Sequence, residues 1–209
     1  MAPSPSADRL APADAEVLLD LAEAAIAAGH AGVRLAPAPL ATLPPALRRP
    51  AGAFVTLRVA GELNGCIGSI EPVEPLAHAV ARHARSAAFA DPRLPPLRPD
   101  QHDRLDVEIS VLSPLVPLPG ESRDAVLAAL RPGVDGLLIA AGGRQAVFLP
   151  AVWEQLPDPE VFLAQLEAKA RLRPGRWPRT LRAWRFTTAT YTRRARGRQA
   201  GVLPYPPAS

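Results

Sequence analysis

Cysteine and lysine are nearly missing from this 209-residue chain, which has one of each, Cys66 and Lys169. A single cysteine excludes an intramolecular disulfide, a cysteine-rich zinc site and an iron–sulfur cluster held by this chain's own cysteines. A radical enzyme resting on such a cluster within this chain is excluded with them. Long apolar runs are lacking too. None approaches the roughly 20 residues that a bilayer-spanning helix needs, and the start, Met1-Ala2-Pro3-Ser4-Pro5-Ser6, lacks the basic and apolar regions of a signal peptide. The expected address is the cytoplasm. There is no G-x-x-x-x-G-K-[ST] phosphate loop, no H-E-x-x-H zinc helix and no G-x-S-x-G elbow, so the common nucleotide, metalloprotease and hydrolase templates fail. The sequence therefore calls for no cofactor and no metal. The formal net charge of +4 is carried by arginines that are scattered rather than striped, alongside heavy use of Ala and Pro. That pattern reflects composition more than a binding surface, and nucleic acid is not an expected partner.

What is present is the balance of an ordinary soluble globular protein, with 48% hydrophobic and 21% charged residues. The length allows one domain or two small lobes sharing an interface, and one compact unit with a sizeable core is expected. A mobile tail is expected over residues 1–12, after which Asp14 can cap a helix running through Val17, Leu18, Leu21 and Ile26 to Gly29. Prolines at 37, 39, 44 and 45 make residues 33–49 an extended connector. Phe54 to Val59 and Leu63 to Ile70 form a β-hairpin across Ala60-Gly61-Glu62, whose return strand carries Cys66. Gly65 and Gly68 point to a bulge or tight loop there, with positive φ or a close backbone approach.

A helix with Leu76, Ala77, Val80, Ala84, Ala87 and Ala88 on its packing face follows, stopping before Asp91-Pro92-Arg93. Val107, Ile109 and Val111 form the buried face of a strand over 106–112. Next come a helix near 124–130, a hairpin of 136–141 with 145–149 about Gly142-Gly143, and a helix capped by Asp158-Pro159 through Val161, Phe162, Leu166 and Leu172. Trp184 to Tyr191 reads as a final strand, and residues 194–209 as a basic, proline-rich tail. Hairpins and capped helices without regular alternation give an α+β fold, a mostly antiparallel sheet flanked by helices.

The run Leu63-Asn64-Gly65-Cys66-Ile67-Gly68 resembles the Leu-Arg-Gly-Cys-Ile-Gly signature of the AMMECR family. Similar blocks are Gly52-Ala53-Phe54-Val55-Thr56-Leu57, Ala87-Ala88-Phe89-Ala90-Asp91-Pro92-Arg93-Leu94-Pro95-Pro96-Leu97 and Val107-Glu108-Ile109-Ser110-Val111-Leu112-Ser113. Gly133-Val134-Asp135-Gly136-Leu137, Phe148-Leu149-Pro150 and Leu166-Glu167-Ala168-Lys169-Ala170 continue the resemblance, which spans residues 13–193 in order. It implies a larger and a smaller lobe with a cleft between them, the signature lying near the cleft, and a biochemical activity that is not established. It also implies a functional link, the AmmeMemoRadiSam system, to a Memo-like protein and a radical SAM enzyme. Asn64 stands where the family usually has arginine, which puts in doubt any role that needs a bidentate guanidinium.

The expected site centres on Cys66, as a nucleophile or redox-active thiol or else as a small side chain packed under a turn. His78 is the candidate base on the following helix, and His83 reads as an exposed polar residue on another face of it. Glu108, on the polar face of its strand beside Ser110, is the candidate carboxylate. Asn64, Gly65, Ile67, Gly68 and Arg93 are the expected substrate contacts, while Asp91-Pro92-Arg93 also reads as a helix stop with a buried Asp91–Arg93 link to neighbouring backbone. The substrate, small molecule or protein, is left open. So is the competing reading, a non-catalytic module that presents the Gly-Cys-Ile-Gly loop to a protein partner.

Overall fold

The computed structural model describes residues 9–119, 122–173 and 177–195. Instead of the single compact unit read from length, the chain forms two, as the lobes implied by the resemblance require. One takes the described residues up to Leu112 and from Ala189 onward, and the other is Ser113–Thr188.

The first unit opens with α1 (Pro12–His30), whose Leu18, Leu19, Ala22, Ala25 and Ile26 are buried at helical spacing. Ala11, not Asp14, is the N-cap. Pro12 takes the first helical position, where its missing N–H costs nothing, and Asp14 lies in the first turn facing the positive end of the helix dipole. The connector holds two short turns, a 3₁₀ turn at Leu40–Thr42 and α2 (Pro45–Arg48), with Leu47 anchored in the core.

β1 (Ala53–Val59) and β2 (Glu62–Ser69) form the expected hairpin, turning through Ala60 and Gly61 at φ 54° and 95°. With α3 (Leu76–Phe89), β3 (Leu105–Leu112) and the strand Thr188–Arg193 they complete the unit, whose sheet places β2 and that last strand at its edges with β1 and β3 between. Ala53, Val55 and Leu57 of β1 share one face with Val107 and Ile109 of β3, and α1 and α3 bury that face in a common core. β1 pairs antiparallel with both neighbours. The ends of the unit are fastened: Leu10 N–H donates to the Tyr191 hydroxyl at 2.6 Å, and Ala195 N–H donates to Asp106 at 2.7 Å. Most of the two tails expected from sequence lies outside the described residues.

The second unit contains β4 (Val116–Pro117), α4 (Arg123–Ala129), β5 (Gly136–Ala141), β6 (Arg144–Phe148), α5 (Pro159–Lys169) and β7 (Arg182–Phe186). Its antiparallel sheet has the order β4-β7-β5-β6. Asp158 caps α5 as expected, accepting from the N–H groups of Glu160 and Val161. Trp153 stacks on Phe162 at 3.8 Å between ring centres, in a core with Val126, Leu137, Ile139 and Leu166.

The single strand expected over 184–191 is two. It breaks at Thr187, with β7 in the second sheet and β8 (Thr188–Arg193) in the first. Thr187 C=O accepts from Ser113 N–H at 2.9 Å and Thr187 N–H donates to Ser113 Oγ at 3.0 Å, so the break is satisfied by hydrogen bonds rather than by a ladder. No helix among the described residues is long and apolar enough to cross a membrane.

Candidate functional site

Cys66 lies in the middle of β2, directly opposite Thr56. Side chains on a strand alternate between faces. Gly65 and Ile67 therefore face α3 and the core, while Cys66 and Gly68 face the other side of the sheet with Thr56. The Thr56 hydroxyl donates to Cys66 Sγ at 3.4 Å. Glu108 of β3 is the residue opposite Thr56 on its far side, so Cys66, Thr56 and Glu108 form one row across three strands. The thiol is half-buried.

β2 is an edge strand, and the peptide groups of Cys66 point away from β1. They are held by the turn after α3. Cys66 N–H donates to Asp91 Oδ2 at 2.9 Å, and Arg93 Nη2 donates to Cys66 C=O at 3.0 Å. The same Arg93 closes on Asp91 through Nε to Oδ1 at 2.9 Å and Nη2 to Oδ2 at 2.7 Å, and its own N–H reaches Oδ1 at 3.1 Å. The Asp91 carboxylate is buried, whereas the Arg93 side chain is 62% exposed. The Arg93 hydrogen bonds, supported by the Cys66 N–H, hold the Asp91 carboxyl well below the usual carboxylate range despite its burial.

The glycines act differently from a loop. β2 runs unbroken through both, and neither has positive φ. Gly65 is where α3 comes down on the sheet: a Cβ there would lie 2.0 Å from the carbonyl oxygen of Ala87. Gly68 is covered by the Phe54 ring, whose Cγ would lie 2.3 Å from an added Cβ. The irregularity is instead at Asn64, the extra residue of a bulge, since Leu57 pairs with Gly65 while Arg58 pairs with Leu63. Asn64 is buried. It donates through Nδ2 to Pro95 C=O at 3.2 Å, and its Oδ1 has no hydrogen-bond partner among the described residues.

The structure thus brings Cys66 and Arg93 together and sets Glu108 in the same row. It takes Gly65 and Ile67 into the packing against α3, and uses Asn64 to fix the 91–97 turn. His78 is turned to the connector, its Nε2 at 2.9 Å from Ala38 C=O. α3 packs on the core side of the sheet, so its histidines are on the opposite side from the thiol.

His83 is buried rather than exposed, with 1% of its surface accessible. Its Nε2 lies 3.3 Å from Ser69 Oγ and 3.4 Å from Arg82 Nη2, and Arg82 in turn holds Glu74. Burial, reinforced by the Arg82 charge and opposed by Glu74, lowers the His83 pKa to about 4, so the ring is neutral near pH 7. No cluster of three or more His, Cys, Asp or Glu side chains that could hold a metal ion occurs among the described residues. Sequence reasoning missed Thr56 as the partner of the thiol. Counting from the hairpin turn pairs Thr56 with Gly65, and the bulge at Asn64 moves the pairing by one.

The AMMECR1 family profile matches residues 19–191 of this chain. A protein of Thermofilum pendens is 36% identical over 190 residues, covering 85% of this chain and 89% of its own. A protein of Methanothermobacter thermautotrophicus is 45% identical over 133 residues, or 63% of this chain and 69% of the relative. The crystal structure of an uncharacterised protein from Pyrococcus horikoshii superposes with a TM-score of 0.81 at 32% identity, over 90% of this chain and 96% of that one.

Proposed function

This chain belongs to the AMMECR1 family, and from that premise we propose that it is an enzyme component working through the Cys66 thiol, in a pathway with a Memo-like protein and a radical SAM enzyme. One observation carries the reading. The Cys66 peptide is gripped at both its N–H and its C=O by Asp91 and Arg93, while its side chain is left on the face away from the core, with a hydroxyl donor on the sulfur. Such a clamp fixes the direction in which the thiol leaves the strand, and the Thr56 hydroxyl holds the sulfur at 3.4 Å.

Iodoacetamide alkylation of the folded protein tests this. Cys66 is expected to react within about tenfold of the rate of an open thiol, and Thr56→Val to slow that reaction severalfold. Reaction only after unfolding in urea overturns the reading.

A second reading has its own support: neither histidine of α3 is on the thiol's side of the sheet, which favours a non-catalytic surface that docks a protein partner. In that case Cys66→Ser keeps co-purification with the Memo-like or radical SAM protein, and Thr56→Arg on the same row abolishes it.

A further inference from the structure

The second unit carries an arginine cluster that the thiol reading does not use. Arg144, Arg171 and Arg173 line an open cavity of about 450 Å³ together with Leu172, Trp177 and Pro178. None of the three arginines is in an ion pair among the described residues. The well-buried carboxylates of the unit are engaged elsewhere, Asp135 with Arg131 and Arg185, and Glu167 with Arg123. Arg144 is aimed by one bond, from Nη1 to Arg171 C=O at 2.7 Å, which leaves the rest of its fork unused.

The backbone supplies an independent observation. α5 ends in a Schellman turn, with Leu172 N–H on Glu167 C=O and Arg171 N–H on Ala168 C=O, both at 2.9 Å. The residue after its C-cap is Arg171 at φ 56°, a left-handed conformation for which glycine is the usual choice. A long cationic side chain held at a glycine position, at a cost in strain, marks a side chain with a use. Attraction to the carbonyl end of α5 is the ordinary use for a cation there, but Lys169 already occupies the last turn, donating to Val147 C=O and lying 5.1 Å from the Phe148 ring centre.

We propose that this cavity binds a small phosphorylated ligand carrying a flat ring, the guanidinium groups taking the phosphates and Trp177 with Leu172 forming the wall against which the ring lies. Guanidinium forks match phosphate oxygens and also stack on flat rings, and the cavity has the size of a small-molecule site rather than of a track for a polymer. The proposal is independent of the thiol.

Isothermal titration with ADP, AMP and inorganic phosphate tests it on the full chain. The expected order is ADP tighter than AMP, and AMP tighter than phosphate, with affinity falling as salt rises. Arg173→Gln and Arg144→Gln, both at exposed positions, are expected to weaken ADP at least fivefold with the thermal midpoint unchanged. Arg171→Gly is expected to weaken ADP while raising that midpoint, because it relieves the left-handed strain. No ADP binding at millimolar concentration, binding unaltered by Arg173→Gln, equal affinity for AMP and phosphate, or tighter binding of a single-stranded oligonucleotide than of ADP each overturns the proposal. So does a lowered midpoint for Arg171→Gly.

Discussion

Asp91 accepts four hydrogen bonds with a buried carboxylate, two on each oxygen, three from Arg93 and one from the Cys66 peptide. Asp91→Asn turns one of those acceptors into a donor facing donors, and is expected to cost about 1–3 kcal/mol, discounted because Arg93 is largely solvated. The lowered carboxyl pKa fixes the sign of the pH effect. Its stabilisation is complete above the ordinary carboxylate value near 4 and is lost progressively as pH falls from there towards the lower folded value. Urea melts between pH 2 and 7 should therefore show a shallower acid limb for the variant.

His83 acts in a different window. Its folded pKa, about 4, lies below the unfolded 6.5, so the unfolded chain binds the proton first and stability declines as pH drops from 6.5 towards 4. The slope approaches roughly 1.4 kcal/mol per pH unit within that window. His83→Gln should remove this slope and lose the Ser69 contact at all pH values. A slope that survives the substitution would assign the effect to another group.

At the scale of elements, β8 is tied to α1 by one side chain. Arg193 reaches Glu16, Asp20 and Glu23, which lie along one face of the helix, at 2.5, 2.7 and 3.0 Å. Arg193→Gln leaves three carboxylates facing one another. Because Glu16 and Asp20 are two-thirds exposed, the expected loss is only about 1 kcal/mol in low salt, shrinking towards zero above 0.5 M, as paired denaturation curves would show.

Elements are also where the sequence was most legible. The alternation at Val107, Ile109 and Val111, the small face of α3 and the Asp158-Pro159 cap are local patterns, and local physics decides them. Asp14 failed as a cap because Pro12 starts the helix sooner. Propensity makes residues 184–191 a single strand because it does not register a change of sheet at Thr187. Of the candidate site, the buried Asp91–Arg93 link could be read from sequence, but its attachment to Cys66 could not, since it joins residues 25 or more positions apart. His83 was misplaced because helical spacing gives relative faces, and only the sheet decides which face is covered.

At the scale of the molecule, two separate cores imply two separable reports on stability. All the tryptophans, Trp153, Trp177 and Trp184, belong to the second unit, whereas Cys66 belongs to the first. Gly65→Ala forces a Cβ onto the Ala87 carbonyl, an overpacking that costs about 1–3 kcal/mol or more. The expected outcome is a lower urea midpoint for exposure of Cys66 to a thiol reagent and a smaller change in the tryptophan fluorescence midpoint. Equal shifts in both would mean that the units unfold as one.

The clamp at Cys66 also bears on what the molecule does not do. An edge strand offers its free N–H and C=O groups to any other extended chain, and a Gly-Cys-Ile-Gly run has little charge with which to refuse one. At Cys66 both groups are already spoken for by a carboxylate and a guanidinium that imitate a neighbouring strand. Asp91 and Arg93 therefore end the first sheet as a chemical border, closing the Cys66 position of its edge to β-addition by a second copy.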